Sequence, residues 1–153
     1  MSTPLRVLVA PLNRLAADAT PAWGQMTPQH MVEHLGLLAA LSYGRVTSPV
    51  TPPEAKWDRR RAVLRSDDPF PRHFDPFKRG TLPKLRYAGL DDARAKLMEH
   101  VDRYEAYWAA HPAATHVHPY FGPLGQDGWA RFHHKHVRHH LAQFDLLAHL
   151  DAA

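Results

Sequence analysis

The chain has 153 residues, the length of one ordinary domain, and we expect a single domain over residues 1–153. A hydrophobic content of 44% and a charged content of 22% are typical of a folded globular protein and exclude a disordered chain. The absence of cysteine excludes disulfides, thiolate metal ligands and a cysteine nucleophile, and the mild net charge of +4 gives no support to nucleic-acid binding.

The first two helices are predicted by leucine spacing and by capping residues. Leucines recur every three or four residues over 4–17, which predicts a helix with one buried face. Pro11 lies inside this segment, so the helix is kinked or divided into two short pieces. Thr27 as N-cap and Pro28 in the first turn predict a second helix that ends at Gly44.

A histidine lies on the apolar face of the second helix. Advancing about 100° per residue places Met31, His34 and Leu38 on one stripe, with His34 near its centre. His30 lies one turn earlier and nearer the edge of that stripe. A single histidine on an apolar face is more often a hydrogen-bonded core residue than a metal ligand, so His34 alone does not predict a site.

Residues 45–90 show no clear periodicity. Their prolines break up any long helix, which leaves at most a short helix around 54–64. The rest is predicted to be an ordered crossover that wraps on the helices, because its aromatic side chains need to be buried. These aromatic residues are Trp57, Phe70, Phe74 and Phe77.

Two further helices complete the predicted fold. Asp91 and Asp92 favour a helix start, and Pro112 ends that helix. The last helix is predicted over 126–150. The four segments predict an all-α protein, namely an up-down four-helix bundle with a long proline-rich crossover in the middle. The buried face of the third helix is predicted to carry Leu97, Val101, Tyr104 and Trp108.

Two histidines of the last helix share its core-facing side. His136 and His140 are one turn apart, whereas His134 points the opposite way and His133 and His139 fall on the shoulders. Histidines at i and i+4 can share one divalent ion, as in helical zinc sites. The same stripe also holds Trp129, Phe132, Gln143 and Leu147.

A facing helix would supply the third ligand of such a site. His34 is the candidate and His30 the reserve. The alternative is a set of hydrogen-bonded core or surface histidines that binds metal only adventitiously. The phase of the stripes favours the metal site, because burying three imidazoles without an ion or a carboxylate leaves several donors unsatisfied. The acidic residues Glu33, Glu99 and Asp145 lie off the seam.

Two segments resemble the DinB/YfiT-like metalloenzyme superfamily. Residues 136–143, His-Val-Arg-His-His-Leu-Ala-Gln, resemble its closing H-x-x-H-H-x-x-Q motif. Residues 26–34, Met-Thr-Pro-Gln-His-Met-Val-Glu-His, resemble the M-T-x-x-x-M-x-x-H stretch that ends at its first ligand. The resemblance implies a DinB-like four-helix bundle whose ligands are His34, His136 and His140.

A narrower likeness is to a small branch of that superfamily with no assigned function. Its features are a Trp-Gly-x-Met entry at 23–26, a His-Pro-x-Phe-Gly turn at 118–122, a tryptophan at Trp129 and a tract ending in Gln143 and Phe144. The likeness covers residues 20–44 and 110–147 well and residues 45–90 hardly at all.

The resemblance implies a metal-dependent enzyme. In better-understood relatives the ion activates a small thiol, such as mycothiol or bacillithiol, for transfer or isomerisation, and other relatives are regarded as hydrolases. Zinc is the simplest choice of ion, and imidazole also suits nickel and iron. We therefore expect a small-molecule partner, either a low-molecular-weight thiol or a hydrolysable substrate.

Four further residues are candidates for this chemistry, each with a structural alternative. Gln143 orients a ligand or a bound water, or is a packing amide. His118 is a general base or the anchor of its turn, and the anchor is favoured. Tyr120 and Trp129 line the pocket of a cofactor or belong to the core.

Three function classes stay open. The first is a metal-dependent transferase or hydrolase. The second is a metal-binding module in which the ion only staples the helices together. The third is an interaction module that forms a homodimer through a bundle face, with the histidines incidental.

The remaining expectations concern location and partners. The densest basic run, 59–65, is bracketed by aspartates and is typical of a solvated helix face, so we expect no nucleic-acid partner. No apolar run approaches the length of a bilayer span, and the apolar patch within 1–10 is too short for a signal peptide. We therefore expect a cytoplasmic protein without a membrane partner.

Overall fold

The computed structural model describes residues 3–74 and 80–152, and these are mostly helical. A two-stranded antiparallel hairpin and two short 3₁₀ turns, Ala10–Arg14 and Glu54–Lys56, join the helices. The helical class is confirmed, whereas the up-down bundle stays a prediction. The elements are α1 (Leu5–Val9), α2 (Pro28–Ser42), α3 (Trp57–Arg65), α4 (Leu90–Ala110), β1 (His116–His118), β2 (Gly122–Leu124), α5 (Gln126–Gln143) and α6 (Leu147–Asp151).

The N-terminal segment is divided into two pieces, as one of the two alternatives predicted. Helix α1 ends at Val9, and the 3₁₀ turn that follows has Pro11 in its first turn. Because proline has no N–H and clashes with the preceding turn, an α-helical ladder cannot continue through it. The leucines of both pieces lie in the core, namely Leu5, Leu8, Leu12 and Leu15.

Helix α2 begins and ends at the predicted residues. The Thr27 hydroxyl accepts a hydrogen bond from the backbone N–H of His30 at 3.2 Å, which caps the helix. At the other end Gly44 has a φ of 79°, and the N–H of Arg45 donates to the carbonyl of Ala40 at 3.0 Å. That bond defines a Schellman helix end, for which glycine is the usual residue.

Helix α2 is buried on more than the predicted stripe, because it packs extensively against α4 and also contacts α5 and β1. His34 is half-buried on this helix. The central position of α2 brings its His34 face opposite α5. The additional buried residues include Val32, Leu35, Gly36 and Ala39.

Helix α4 begins with Asp91 and Asp92 in its first turn and ends at Ala110, before Pro112, as predicted. It is 21 residues long. Neither α4 nor any other helix in the described part of the chain is long and apolar enough to cross a membrane. Its predicted buried face is confirmed at Leu97, Val101, Tyr104 and Trp108.

The last helix ends earlier than predicted, at Gln143 and not near residue 150. Asp145 adopts a left-handed conformation with φ 58°, and the N–H of Leu146 donates to the carbonyl of Leu141 at 2.7 Å. These are the features of a second Schellman helix end, here with aspartate where glycine is usual. Leu141 and Leu146 are both buried, which supplies the apolar contact typical of this end.

A β-hairpin between α4 and α5 was not predicted. His116 pairs with Leu124 and His118 with Gly122, so the His-Pro-x-Phe-Gly segment forms the hairpin loop. Gly122 has a φ of 79°, and a Cβ atom there would lie 2.7 Å from Nε1 of Trp57, so only glycine fits. Each strand has three residues, which is too short to show an alternating pattern.

Helix α3 is the short helix expected in the crossover, and it holds the hairpin loop. Nη1 of Arg60 donates to the carbonyl of Tyr120 at 2.9 Å, and Nε of Arg61 donates to that of Phe121 at 3.0 Å. Three of the carbonyls of the loop and β2 are thereby satisfied, since Arg61 also donates to Pro123. The basic run thus has a structural role in the described structure.

The aromatic residues of the crossover are only partly buried. Phe70 is buried and Trp57 is half-buried, with Nε1 of Trp57 donating to the carbonyl of Pro52 at 2.8 Å. Phe74 is 40% exposed, which corrects the prediction that it is buried. Its ring lies on the outer side of Phe70, with centroids 6.0 Å apart, and so covers the core without entering it. Phe77 lies outside the described residues.

Candidate metal centre

Three histidine nitrogens converge between α2 and α5. Nε2 of His34 lies 2.8 Å from Nε2 of His136, which lies 3.1 Å from Nε2 of His140. Zinc–nitrogen bonds of about 2.0–2.1 Å at tetrahedral angles place two ligands about 3.3 Å apart. The observed separations therefore suit one shared ion after a small outward movement. Among the histidine and acidic side chains of residues 3–74 and 80–152, these three histidines form the group whose ligand atoms lie close enough together to hold one ion.

The cluster lies at the edge of the core. His136 and His140 are only 7% and 5% exposed, whereas His34 is half-buried. The i, i+4 spacing on α5 brings the two buried rings to a centroid distance of 4.7 Å. The ring of His34 meets them from α2 at 4.7 and 5.1 Å. The predicted ligand set is thus brought together by the fold.

Burial keeps the two ligands on α5 uncharged. Desolvation lowers the pKa of His136 and of His140 well below the ordinary value, and the neighbouring histidines lower it further through charge repulsion. Metal ions bind neutral imidazole, and protons compete for the same lone pair. The folded chain therefore presents these nitrogens in the form that a metal ion requires.

Gln143 sets the orientation of His140. Its Nε2 donates to the backbone carbonyl of Trp23 at 3.1 Å, so its Oε1, 2.8 Å from Nδ1 of His140, is free to accept. His140 consequently carries its proton on Nδ1, and its Nε2 lone pair faces the cluster. This placement favours the ligand-orienting role over the packing role.

The proton of His136 shows why a cation suits the cluster. A neutral imidazole carries one proton, and Nδ1 of His136 is buried without a partner in the described part of the chain. With the proton on Nε2, the ring could donate to only one of the two neighbouring nitrogens. A cation at the centre would be bound by all three lone pairs, so the donor set fits a metal ion.

Two polar residues on α2 near His34 are engaged elsewhere. Nε2 of His30 donates to the carbonyl of Pro83 at 3.1 Å, and its Nδ1 accepts from the Thr27 hydroxyl at 2.7 Å. His30 therefore does not join the cluster, and the reserve choice of ligand is wrong. Glu33 accepts from the backbone N–H of Arg86 at 2.8 Å, so it lies off the seam, as predicted.

His133 is more buried than its predicted shoulder position implied. The Ser42 hydroxyl donates to the carbonyl of Ala39 at 2.6 Å, so Nε2 of His133 donates to that hydroxyl at 2.9 Å. Burial lowers the pKa of His133 to about 3. The histidine ties α5 to the end of α2, and its ring packs edge-on against Tyr104. Its burial depends on helix packing, which the sequence does not show.

His118 anchors the hairpin loop. Its Nδ1 accepts from the backbone N–H of Tyr120 at 2.9 Å and from that of Phe121 at 3.3 Å. The ring proton is therefore on Nε2, and burial lowers the pKa of His118 to about 3. Because the lone pair already serves the loop, the geometry favours the anchor over the general base.

The two aromatic candidates lie in different surroundings. Trp129 is fully buried, and its Nε1 donates to the carbonyl of His116 at 3.1 Å. Tyr120 is half-buried beneath the Arg60 guanidinium, which lies 4.1 Å from the ring centroid. These surroundings favour a core role for Trp129, and a cofactor contact by either residue stays a prediction.

Replacing Gln143 by leucine is expected to weaken zinc binding by about 10- to 100-fold, because His140 loses the acceptor that fixes its proton on Nδ1. Gln143→Glu is the comparison variant: its carboxylate keeps an acceptor for Nδ1 of His140 but loses the donor to the carbonyl of Trp23, so its affinity should lie between those of the leucine variant and the wild type. Competition titration with a chromophoric chelator measures both. Equal affinities for the leucine variant and the wild type would show that Gln143 is only a packing residue.

Comparison with known proteins gives one similarity. Comparisons with curated proteins and with solved structures found no match. Residues 78–146 match the model of a family described as protein of unknown function (DUF1569). The matched segment includes His136 and His140 and stops short of His34 on its N-terminal side. The chain is thus similar, over α4, the hairpin and α5, to an uncharacterised family, and the likeness to DinB/YfiT-like metalloenzymes is not confirmed by that match.

Proposed function

We propose that this protein is a metal-dependent enzyme in which His34, His136 and His140 hold one divalent ion. The observation that carries the proposal is the convergence of three Nε2 atoms, with adjacent pairs 2.8 and 3.1 Å apart, between two helices. Zinc is the first choice, and nickel and iron are compatible with the same ligands. When bound, such an ion lowers the pKa of a water or thiol in its open position.

The number of ligands supports an enzyme over a purely structural site. Structural zinc sites are closed by four protein ligands, whereas catalytic sites use three and keep one position open. In the described residues, the cluster comprises three histidines. The half-buried His34 also leaves the cluster near the surface, where a small molecule can approach.

The chemistry that fits is thiol transfer or hydrolysis with a small-molecule substrate. The chain has no cysteine, so a reacting thiol has to come from a small molecule. The ligands on α2 and α5 also support the DinB/YfiT-like assignment, because they correspond to one histidine of the second bundle helix and two of the last. In that arrangement α2, α4 and α5 would be three bundle helices, and the divided N-terminal segment would be the fourth.

The chain's own residues prepare the site before any substrate binds. His136 and His140 are held neutral by burial. Gln143 orients His140, and the carbonyl of Trp23 holds Gln143 in turn. The ring of Phe132 stacks on that of His136, with centroids 4.7 Å apart, and covers one face of the imidazole. These contacts reduce the reorganisation needed for metal binding and reaction.

Activity that depends on the metal would test the proposal. Metal-free protein is reloaded with zinc, nickel or iron(II) and assayed with p-nitrophenyl esters, and with mycothiol or bacillithiol and an electrophilic acceptor. We expect turnover only in a reloaded form, with His136→Ala inactive in every form. Metal binding without turnover of either substrate class would favour the non-catalytic metal-binding module.

A further inference from the structure

The Nε2–H group of His118 is a buried donor without a partner in the described part of the chain. Its existence follows from the hairpin loop, because the backbone N–H groups of Tyr120 and Phe121 occupy the Nδ1 lone pair and force the proton onto Nε2. Buried donors in native proteins nearly always have a partner. A donor held in this way indicates an acceptor that is supplied from outside the chain.

The rings of His118 and of His136, a member of the histidine cluster, both contact the ring of Phe132. The His118 ring packs edge-on against Phe132, with centroids 4.4 Å apart. The ring of His136 stacks on Phe132, with centroids 4.7 Å apart. Nδ1 faces the loop, so the Nε2 end of the ring points away from it. Phe132 is thus a common neighbour of the donor and of the cluster.

The electrostatics of the site favour a negatively charged acceptor. The three ligands are imidazoles, and the described residues bring no carboxylate into their cluster. A divalent ion there would keep most of its charge in a poorly solvated place, where an unbalanced charge is costly. An anion at the open position would offset that charge and offer oxygen atoms to a nearby N–H group.

We propose that the substrate is a small carboxylate-bearing molecule, and that the His118 Nε2–H group binds one of its carboxylate oxygens beside the metal centre. This inference rests on the proposed function, because it assumes the metal site. His118 then has two roles through its two nitrogens: Nδ1 shapes the loop and Nε2 binds substrate. As a neutral donor it selects an acceptor without taking part in proton transfer.

Two substitutions separate these roles. In His118→Asn, the amide oxygen takes the place of Nδ1, so the loop keeps its acceptor while the Nε2 donor is lost. In His118→Gln, the amide nitrogen reaches the place of Nε2, so the donor is kept while the loop loses its acceptor. Cobalt(II)-loaded wild type and both variants are titrated with acetate, and binding is followed by the visible absorption of the cobalt ion.

The expected result is one equivalent of cobalt in all three proteins, with acetate affinity reduced about tenfold or more in His118→Asn and close to wild type in His118→Gln. Wild-type acetate affinity in His118→Asn would overturn the inference, as would loss of cobalt from that variant, because His118 would then act on the ligands. Should the asparagine variant not fold, loss of acetate affinity in the glutamine variant overturns it and retention supports it.

The two proposals fail in different ways. If the wild type binds cobalt and acetate leaves its spectrum unchanged, the carboxylate inference falls while the metal site stands. If the wild type binds no cobalt, both fall.

Discussion

Replacing His136 by alanine is expected to lower the affinity of the protein for zinc by more than about 100-fold. Loss of a residue that only supports a metal ligand lowers metal affinity by about 10- to 100-fold, and loss of a ligand should exceed that range. The reason is the central place of His136, since its Nε2 contacts the Nε2 atoms of both His34 and His140. His140→Ala is expected to have an effect of similar size, because it also leaves two ligands. Competition titration and elemental analysis of the purified variants measure the change.

The control is a histidine of the same helix that faces elsewhere. His134→Ala makes the same chemical change on α5 at a position outside the cluster. It should keep about one equivalent of metal. Equal loss of metal from the His134 and His136 variants would mean that the histidine-rich tract binds ions without a defined site.

Metal-free protein is expected to lose several kcal/mol of stability as the pH falls from 7 to 5. His118 and His133 have a pKa of about 3 in the folded state because they are buried, against an ordinary value of 6.5. Below pH 6.5 the unfolded chain takes up protons that the folded chain does not, so acid favours unfolding. The stability that depends on keeping His118 and His133 neutral is fully present above pH 6.5 and is lost as the pH falls toward 3.

The size of this effect follows from the proton uptake. Each such histidine removes about 1.4 kcal/mol per pH unit below its unfolded pKa, so His118 and His133 together remove about 4 kcal/mol by pH 5. His136 and His140 act in the same direction, because their pKa values are also lowered. The free energy of unfolding of a domain of this size is about 5–15 kcal/mol, so acid should remove much of that stability.

Urea unfolding with a chelator present, at pH 7.5, 6 and 5, measures this loss. His133→Gln should flatten the pH dependence by about 1.4 kcal/mol per pH unit, because it removes one of the proton acceptors and keeps an amide donor for Ser42. His149→Gln, at an exposed position of α6, is the matched surface control. Unfolding midpoints that do not change between pH 7.5 and 5 would show that these histidines are not buried as described.

The cluster was predictable because it depends on helical phase. Within a regular helix the direction of a side chain follows from its position, so His136 and His140 had to share a face and His34 had to lie among apolar neighbours. The end of α2 was predictable for a similar reason. Gly44 is the residue type that a left-handed helix end prefers, and the structure shows this end there.

The features that the sequence did not predict are those that depend on contacts between separate elements. The end of α5 has the same geometry as that of α2, but Asp145 occupies the left-handed position, so no glycine marked it. The burial of His133 requires Ser42 of another helix. The hairpin is held by α3 through Arg60 and Arg61, across about sixty residues of sequence. None of these contacts can be predicted from the spacing of residues within one helix.

The most direct test of the metal centre is a crystal structure of the zinc-loaded protein, with anomalous data collected on both sides of the zinc absorption edge. We expect one anomalous peak about 2.0–2.1 Å from Nε2 of His34, His136 and His140, with an open position beside it. A structure with no peak between these three nitrogens, or with zinc bound to other histidines of α5, would contradict this expectation.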